Sequence, residues 1–233
     1  MSVRTVIVAI SLSFVLTPVA RTAETEEGFV PIFNGRDLTG WEGKPGWWTV
    51  EDGAITAQST PEKPCKKHNY LMWRGGKPAD FELRFSYRIV GGNSGVQIRS
   101  RERPGWDIEG YQADLEAGPT YTGALYEVYG RVLMAKRGEQ ATFDPDGTRH
   151  VVSLGDADEL QKHIKPNDWN EYHIIARGNT ITLAINGKVM SRTIDNQKDK
   201  AAREGVIALQ MHPGPPMKVQ FKNLRLKTWD RAF

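Results

Sequence analysis

The chain has 233 residues, 25% of them charged, a formal net charge of +3 and one cysteine. That near-balance leaves no electrostatic footprint for nucleic acid or an anionic membrane surface. A lone thiol, Cys65 in a polar loop, excludes an internal disulfide framework, and the length suits one domain that buries about 70% of its unfolded surface.

Residues 1–23 read as a secretory signal peptide. Arg4 is the only side-chain charge ahead of an apolar run from Val6 to Val19, and the small residues Ala20 and Ala23 follow near a cut. The run is too short for a comfortable transmembrane helix, so no integral span is expected after processing. With Pro18 and Arg21 close to the cut, a retained N-terminal anchor is the alternative. Processing would remove two arginines and no acid, taking the formal charge from +3 to +1. The expected location is the periplasm or outside the cell. No linker or low-complexity stretch divides residues 24–233, which read as a single domain.

The dominant pattern along that domain is period-2 alternation. Trp48 to Val50 and Ala54 to Thr56, joined by Glu51-Asp52-Gly53, predict an early hairpin. Phe81, Leu83, Phe85, Tyr87 and Ile89 alternate with polar residues, and Ser94 to Arg99 alternates again after Gly91-Gly92. Asp156 to Ile164 is long enough for one short helical turn. Glu171 to Arg177, Thr180 to Ile185 and Lys188 to Ile194 form a meander whose Asn186-Gly187 is a two-residue hairpin signal. Val206 to His212 and Val219 to Lys227 add two strands. Many short strands punctuated by Gly, Pro and Asn imply an all-β fold, a two-sheet jelly-roll sandwich.

In a sandwich each strand has a core face and an outward face. With Val96 and Ile98 inward, Asn93, Gln97 and Arg99 share the outward face. With Ile207, Leu209 and Met211 inward, Gln210 and His212 point outward; Gln112 and Asp114 do the same on the strand from Gly110 to Leu115. Amides, a guanidinium, an imidazole and a carboxylate suit vicinal hydroxyls, and Trp106, Tyr111 and Tyr126 are placed to stack on a sugar ring. Asp107/Glu109 and Asp114/Glu116 each put two carboxylates at i and i+2, the raw material of a conventional glycosidase. His68, His150 and His163 lie in polar loops without metal-ligand spacing. No Gly-x-Ser-x-Gly, phosphate loop or dinucleotide fingerprint occurs.

Several segments, taken in order, resemble the 3-keto-disaccharide hydrolase family, also described as 3-keto-glucoside 1,2-lyases and 3-keto-2-hydroxyglucal hydratases. They begin with Phe33-Asn34-Gly35-Arg36-Asp37-Leu38-Thr39-Gly40-Trp41 and Trp48-Thr49-Val50-Glu51-Asp52-Gly53. Phe81-Glu82-Leu83-Arg84, Gly91-Gly92-Asn93-Ser94-Gly95-Val96 and Gly110-Tyr111-Gln112 follow. Thr122-Gly123-Ala124-Leu125-Tyr126, Asp168-Trp169-Asn170-Glu171-Tyr172, Ile185-Asn186-Gly187 and Leu209-Gln210-Met211-His212 complete the series. The resemblance implies a concanavalin A-like jelly roll and an oxidised saccharide or glycoside as partner. It also implies a chemistry: a ketone at C3 acidifies the C2 proton, a base removes it, the C1 substituent is expelled, and water can add back.

On that basis His212 or Asp114 is the base, and Arg99 stabilises the enolate oxygen. Tyr126 and Glu127 assist the leaving group, while Asn93, Gln97, Gln112 and Gln210 hold hydroxyls. Asp114, Glu127 and His212 are the residues that could bind a divalent cation. Arg99 paired with Glu109 or Asp114, and Tyr126 in the core, are the structural alternatives. Gln112 stands where the family carries Glu; if that Glu is a base or a ligand, Asp114 must take its role. A non-catalytic carbohydrate-binding module is the competing function, because this fold hosts lectins as readily as enzymes.

Overall fold

A computed structural model describes residues 27–229; the expected signal peptide lies outside the described residues. In chain order come β1 (Val30–Pro31), β2 (Trp41–Gly43), β3 (Trp48–Glu51), β4 (Ala54–Ser59), β5 (Asn69–Trp73) and β6 (Asp80–Val90). Next are β7 (Asn93–Arg103), β8 (Asp107–Glu116), β9 (Leu125–Val128), β10 (Val132–Ala135), β11 (Glu139–Phe143) and β12 (Arg149–Ser153). Helix α1 (Ala157–Gln161) precedes β13 (Asn170–Arg177), β14 (Thr180–Ile185), β15 (Lys188–Asp195), β16 (Val206–Met211) and β17 (Met217–Trp229).

These strands form two sheets. One has ten strands in the order β12-β11-β15-β14-β13-β6-β17-β4-β3, with β1 on β17; the other has seven, β10-β9-β8-β7-β16-β5-β2. Pairing is antiparallel except between β11 and β15. The alternating residues of β6 supply Phe81, Leu83, Phe85 and Tyr87 to the core, where Val96, Ile98, Ala113, Leu115, Leu209 and Met211 meet them from the smaller sheet. Phe85 stacks on Tyr172 with centroids 5.3 Å apart. Each such large apolar side chain stabilises the fold by roughly 1.5–3 kcal/mol through burial. The two-sheet, all-β expectation holds.

Local chemistry explains the connections. Asn186 and Gly187, at φ 49° and 78°, close the β14–β15 hairpin as the left-handed preference of Asn-Gly requires. Asp156 caps α1 by accepting from the backbone N–H of Asp158 and Glu159, both at 2.9 Å. The Asn34-to-Trp41 motif is a chain of turn caps. Asn34 Oδ1 accepts from the N–H of Arg36 and Asp37, Asp37 Oδ1 accepts from the N–H of Thr39, and Trp41 Nε1 donates to the Ile32 carbonyl.

One irregularity reshapes the outward face of the smaller sheet. The β7–β8 register shifts between Ile98 and Arg101, and Arg99 sits at φ 47°. A bulge of this kind re-aims the side chain it carries.

Candidate functional site

The outward face of β7, β8, β9 and β16 floors a cleft of ≈ 550 Å³, with Asn93, Gln112, Asp114, Tyr126, Gln210 and His212 in its lining. His68, Glu116, Tyr121, Val128 and Tyr129 complete the wall. Strand parity is the cause: Gln97 lies opposite Gln112 across the β7–β8 ladder, and Gln112 opposite Tyr126 across β8–β9.

A row of amides runs beneath the floor. Ser100 Oγ donates to Gln97 Oε1 at 2.7 Å, Gln97 Nε2 to Gln112 Oε1 at 2.8 Å, and Gln112 Nε2 to Asp114 Oδ1 at 2.6 Å. Every group in the row is buried, and each donates toward the carboxyl. Gly95 makes room for it, since a Cβ there would stand 2.5 Å from Gln112 Cδ. Burial pushes the Asp114 carboxyl up to about 8; the Gln112 hydrogen bond opposes the shift and Glu116 adds repulsion. With no cation beside it, Asp114 carries its proton at neutral pH.

The imidazoles behave differently. Burial holds the His212 pKa below the usual imidazole value, against a contrary pull from the Pro213 carbonyl. His212 Nδ1 lies 2.5 Å from that carbonyl, which can only accept, so the proton is on Nδ1 and the Nε2 lone pair is open. His68 packs edge-on against His212 with centroids 4.7 Å apart, and burial, then repulsion from His212, lowers its pKa. Gln210 Nε2 donates to Tyr70 Oη at 2.9 Å, and its amide lies 3.3 Å from His68 Nδ1.

Four expected residues sit elsewhere. Turned by the bulge, Arg99 points to the sandwich end, where its guanidinium meets the carbonyls of Ala79 and Gly178 and the carboxylate of Asp80 at 2.7, 2.8 and 2.9 Å. Glu127 lies on the side of β9 opposite Tyr126, bonded to Arg131 Nε at 2.6 Å. Tyr111 points inward and donates to Asp195 Oδ2 at 2.5 Å, so its ring packs in the core. Trp106 covers an apolar cluster of Tyr70, Met72, Ile108, Val206 and Ala208. Gln97 is buried within the amide row. The acids Asp107 and Glu109 are occupied by Tyr129 and by Arg101 and Arg103. Among the described residues no group of three or more His, Cys, Asp and Glu could hold a metal ion. Asp114, Glu127 and His212 do not fit that role, since Glu127 is turned from the cleft.

A family described as the 3-keto-alpha-glucoside-1,2-lyase-like domain matches residues 28–227. The chain belongs to this family. A 3-keto-disaccharide hydrolase of Bacteroides thetaiotaomicron is 28% identical over 179 residues, a match that takes in 69% of this chain and 56% of the relative. The chain thus spans little more than half of that curated relative. Two solved structures share the sandwich at low identity. A candidate glycosyl hydrolase from Parabacteroides distasonis has a TM-score of 0.59 and 20% identity, covering 86% of this chain and 99% of its own. The carbohydrate binding module CBM66 from Bacillus subtilis has a TM-score of 0.53 and 14% identity, covering 82% and 97%.

Within this 3-keto-glucoside lyase-like family, Gln112 now has a physical account. An amide accepts from Gln97 and donates to Asp114 at once; a carboxylate in its place would only accept, and would leave Asp114 Oδ1 without its donor. His68, Tyr121 and Tyr129 escaped sequence reasoning because they lie on loops or loop edges, where no periodicity marks a face.

Proposed function

We propose that the cleft cleaves 3-keto-glycosides by elimination, with His212 as base and Asp114 as acid. The carrying observation is two titratable groups of one cleft driven apart: a buried carboxyl pushed up to about 8 and a half-buried imidazole whose pKa is held low, with Nε2 open. Such divergence is how one site runs acid and base chemistry together. Nε2 of His212 takes the C2 proton, and the electron pair passes to the C3 oxygen as an enolate. His68, held against Gln210, supplies the hydrogen bond to that oxygen from its Nε2. The returning pair forms the C1–C2 double bond, the C1–O bond breaks, and Asp114 gives its proton to the departing oxygen. Water adding OH at C1 and H at C2 completes a net hydrolysis. Asn93 and Gln112 hold hydroxyls, and Tyr126 faces the sugar ring.

Purified protein incubated with 3-keto-trehalose and with trehalose tests this reading. Cleavage of the keto sugar alone is expected. Cleavage of plain trehalose would sink elimination in favour of a carboxylate pair, and binding without cleavage of either would identify a carbohydrate-binding module.

A further inference from the structure

The β9–β10 hairpin carries a restrained aromatic that the elimination does not use. Tyr129 is 61% exposed, yet its backbone sits at φ 60°, as does that of Val132. Bulky residues adopt that region only when their surroundings enforce it. The surroundings do so from three directions. The Tyr129 hydroxyl donates to Asp107 Oδ2 at 2.8 Å, and the Arg103 guanidinium lies 4.3 Å from the ring centroid. At the hairpin root, Glu127 Oε2 accepts from the Arg131 backbone N–H at 2.8 Å and from its Nε at 2.6 Å. Arg131 in turn donates to Asp195 Oδ1 and Oδ2 at 3.0 and 2.6 Å and to Gln197 Oε1 at 2.9 Å. A solvent-exposed ring needs no such anchoring for stability.

We infer that Tyr129 is the stacking platform for the second unit of a two-ring saccharide, with Glu127 and Arg131 as its positioning residues. The argument rests on the elimination reading for which ring sits on the floor. Asp114 and Gln112 are buried there, whereas Tyr129 stands in the same wall at the solvent side. Val128 and Tyr129 also border a second depression of ≈ 280 Å³, so the hairpin tip stands where the cleft ends. An aromatic face held in place before the ligand arrives binds a sugar ring without an ordering cost at that moment. Its contribution is uniform binding, felt in KM rather than kcat.

The test compares a two-ring substrate, 3-keto-trehalose, with a one-ring substrate, methyl 3-keto-α-glucoside. Tyr129→Ala should raise KM for the two-ring substrate about tenfold at unchanged kcat, leaving the one-ring substrate unaffected. Tyr129→Phe should keep the ring and the affinity, and Glu127→Gln should reproduce part of the selective loss. Equal effects on both substrates, or none, would overturn the inference. Calorimetric binding of trehalose and methyl α-glucoside provides a readout independent of turnover. If the unsubstituted protein cleaves neither keto sugar, elimination fails on its own; a selective loss of trehalose binding in Tyr129→Ala then still supports the platform, and an unselective result or no binding overturns it.

Discussion

Two groups of buried carboxylates lie on opposite sides of β8 and β9, and their protons obey opposite rules. Behind the sheet, burial pushes Asp195 upward, but hydrogen bonds from Arg131 and Tyr111 outweigh it and hold the carboxyl below its usual range. In front, Asp114 is more deeply enclosed, its neighbours are neutral amides and another acid, and its pKa rises to about 8. Both are shielded from solvent, but Asp114 is packed the more deeply and only Asp195 has a guanidinium beside it. The cluster behind is an ion pair that braces a hairpin, and the group in front is an acid that has kept its proton. Sequence reasoning assigned Glu127 and Arg99 to the front, and the structure finds both committed behind or at the sandwich end.

The comparison can be broken from either side. Asp114→Asn should lower kcat/KM for a keto-glycoside by about 10²–10⁴-fold, the usual contribution of a positioned acid, and should remove the alkaline limb of the rate profile. The same variant should change the pH dependence of stability. A carboxyl whose folded pKa exceeds its unfolded value leaves the native state intact at low pH and loses stability as pH climbs toward about 8. The slope is ~1.4 kcal/mol per pH unit between those values, and denaturant melts of the variant should lack it. Asp195 works in reverse: its contribution is present above the ordinary carboxylate range and fades as pH falls.

Arg131→Met strikes the other side. Stranding Asp195 and Glu127 without their cation should cost about 3–5 kcal/mol, read as a lower denaturation midpoint. The smallest effect is expected from Gly95→Ala, where the new Cβ presses on Gln112. Overpacking there should cost roughly 1–3 kcal/mol. It should also reduce turnover by displacing the amide that holds Asp114; unaltered kinetics would show the row to be dispensable.

What the sequence disclosed follows from how each element is exposed. β6, β13 and β14 alternate because each has one face in the core and one outside, so their residues could be placed from the pattern alone. β5 hides most of both faces, and β12 exposes both; neither presents a period, and both were missed. The cleft shows the same division. Asn93, Gln112, Asp114, Gln210 and His212 were placed on one face by parity, and they do line one cavity. Arg99 obeyed parity until the bulge, a two-residue irregularity with no glycine of its own; the glycines that make room for it, Gly110 and Gly205, lie on neighbouring segments. His68 sits in a loop, and Tyr129 owes its direction to ion pairs that span more than sixty residues, from Arg131 to Asp195.

β17 has a bearing on how the molecule comes together. The strand pairs with β6 along nearly its whole length, with β4 on the other side, and with β1 beyond. The middle of the larger sheet therefore waits for residues 217–229, and until they arrive β1, β3 and β4 have no route to β6. Closing loops of that span is slow, and it sets the tempo of all-β assembly. A chain in which this strand has not yet been made leaves β3 and β4 disconnected from β6, so the larger sheet is completed only when residues 217–229 dock.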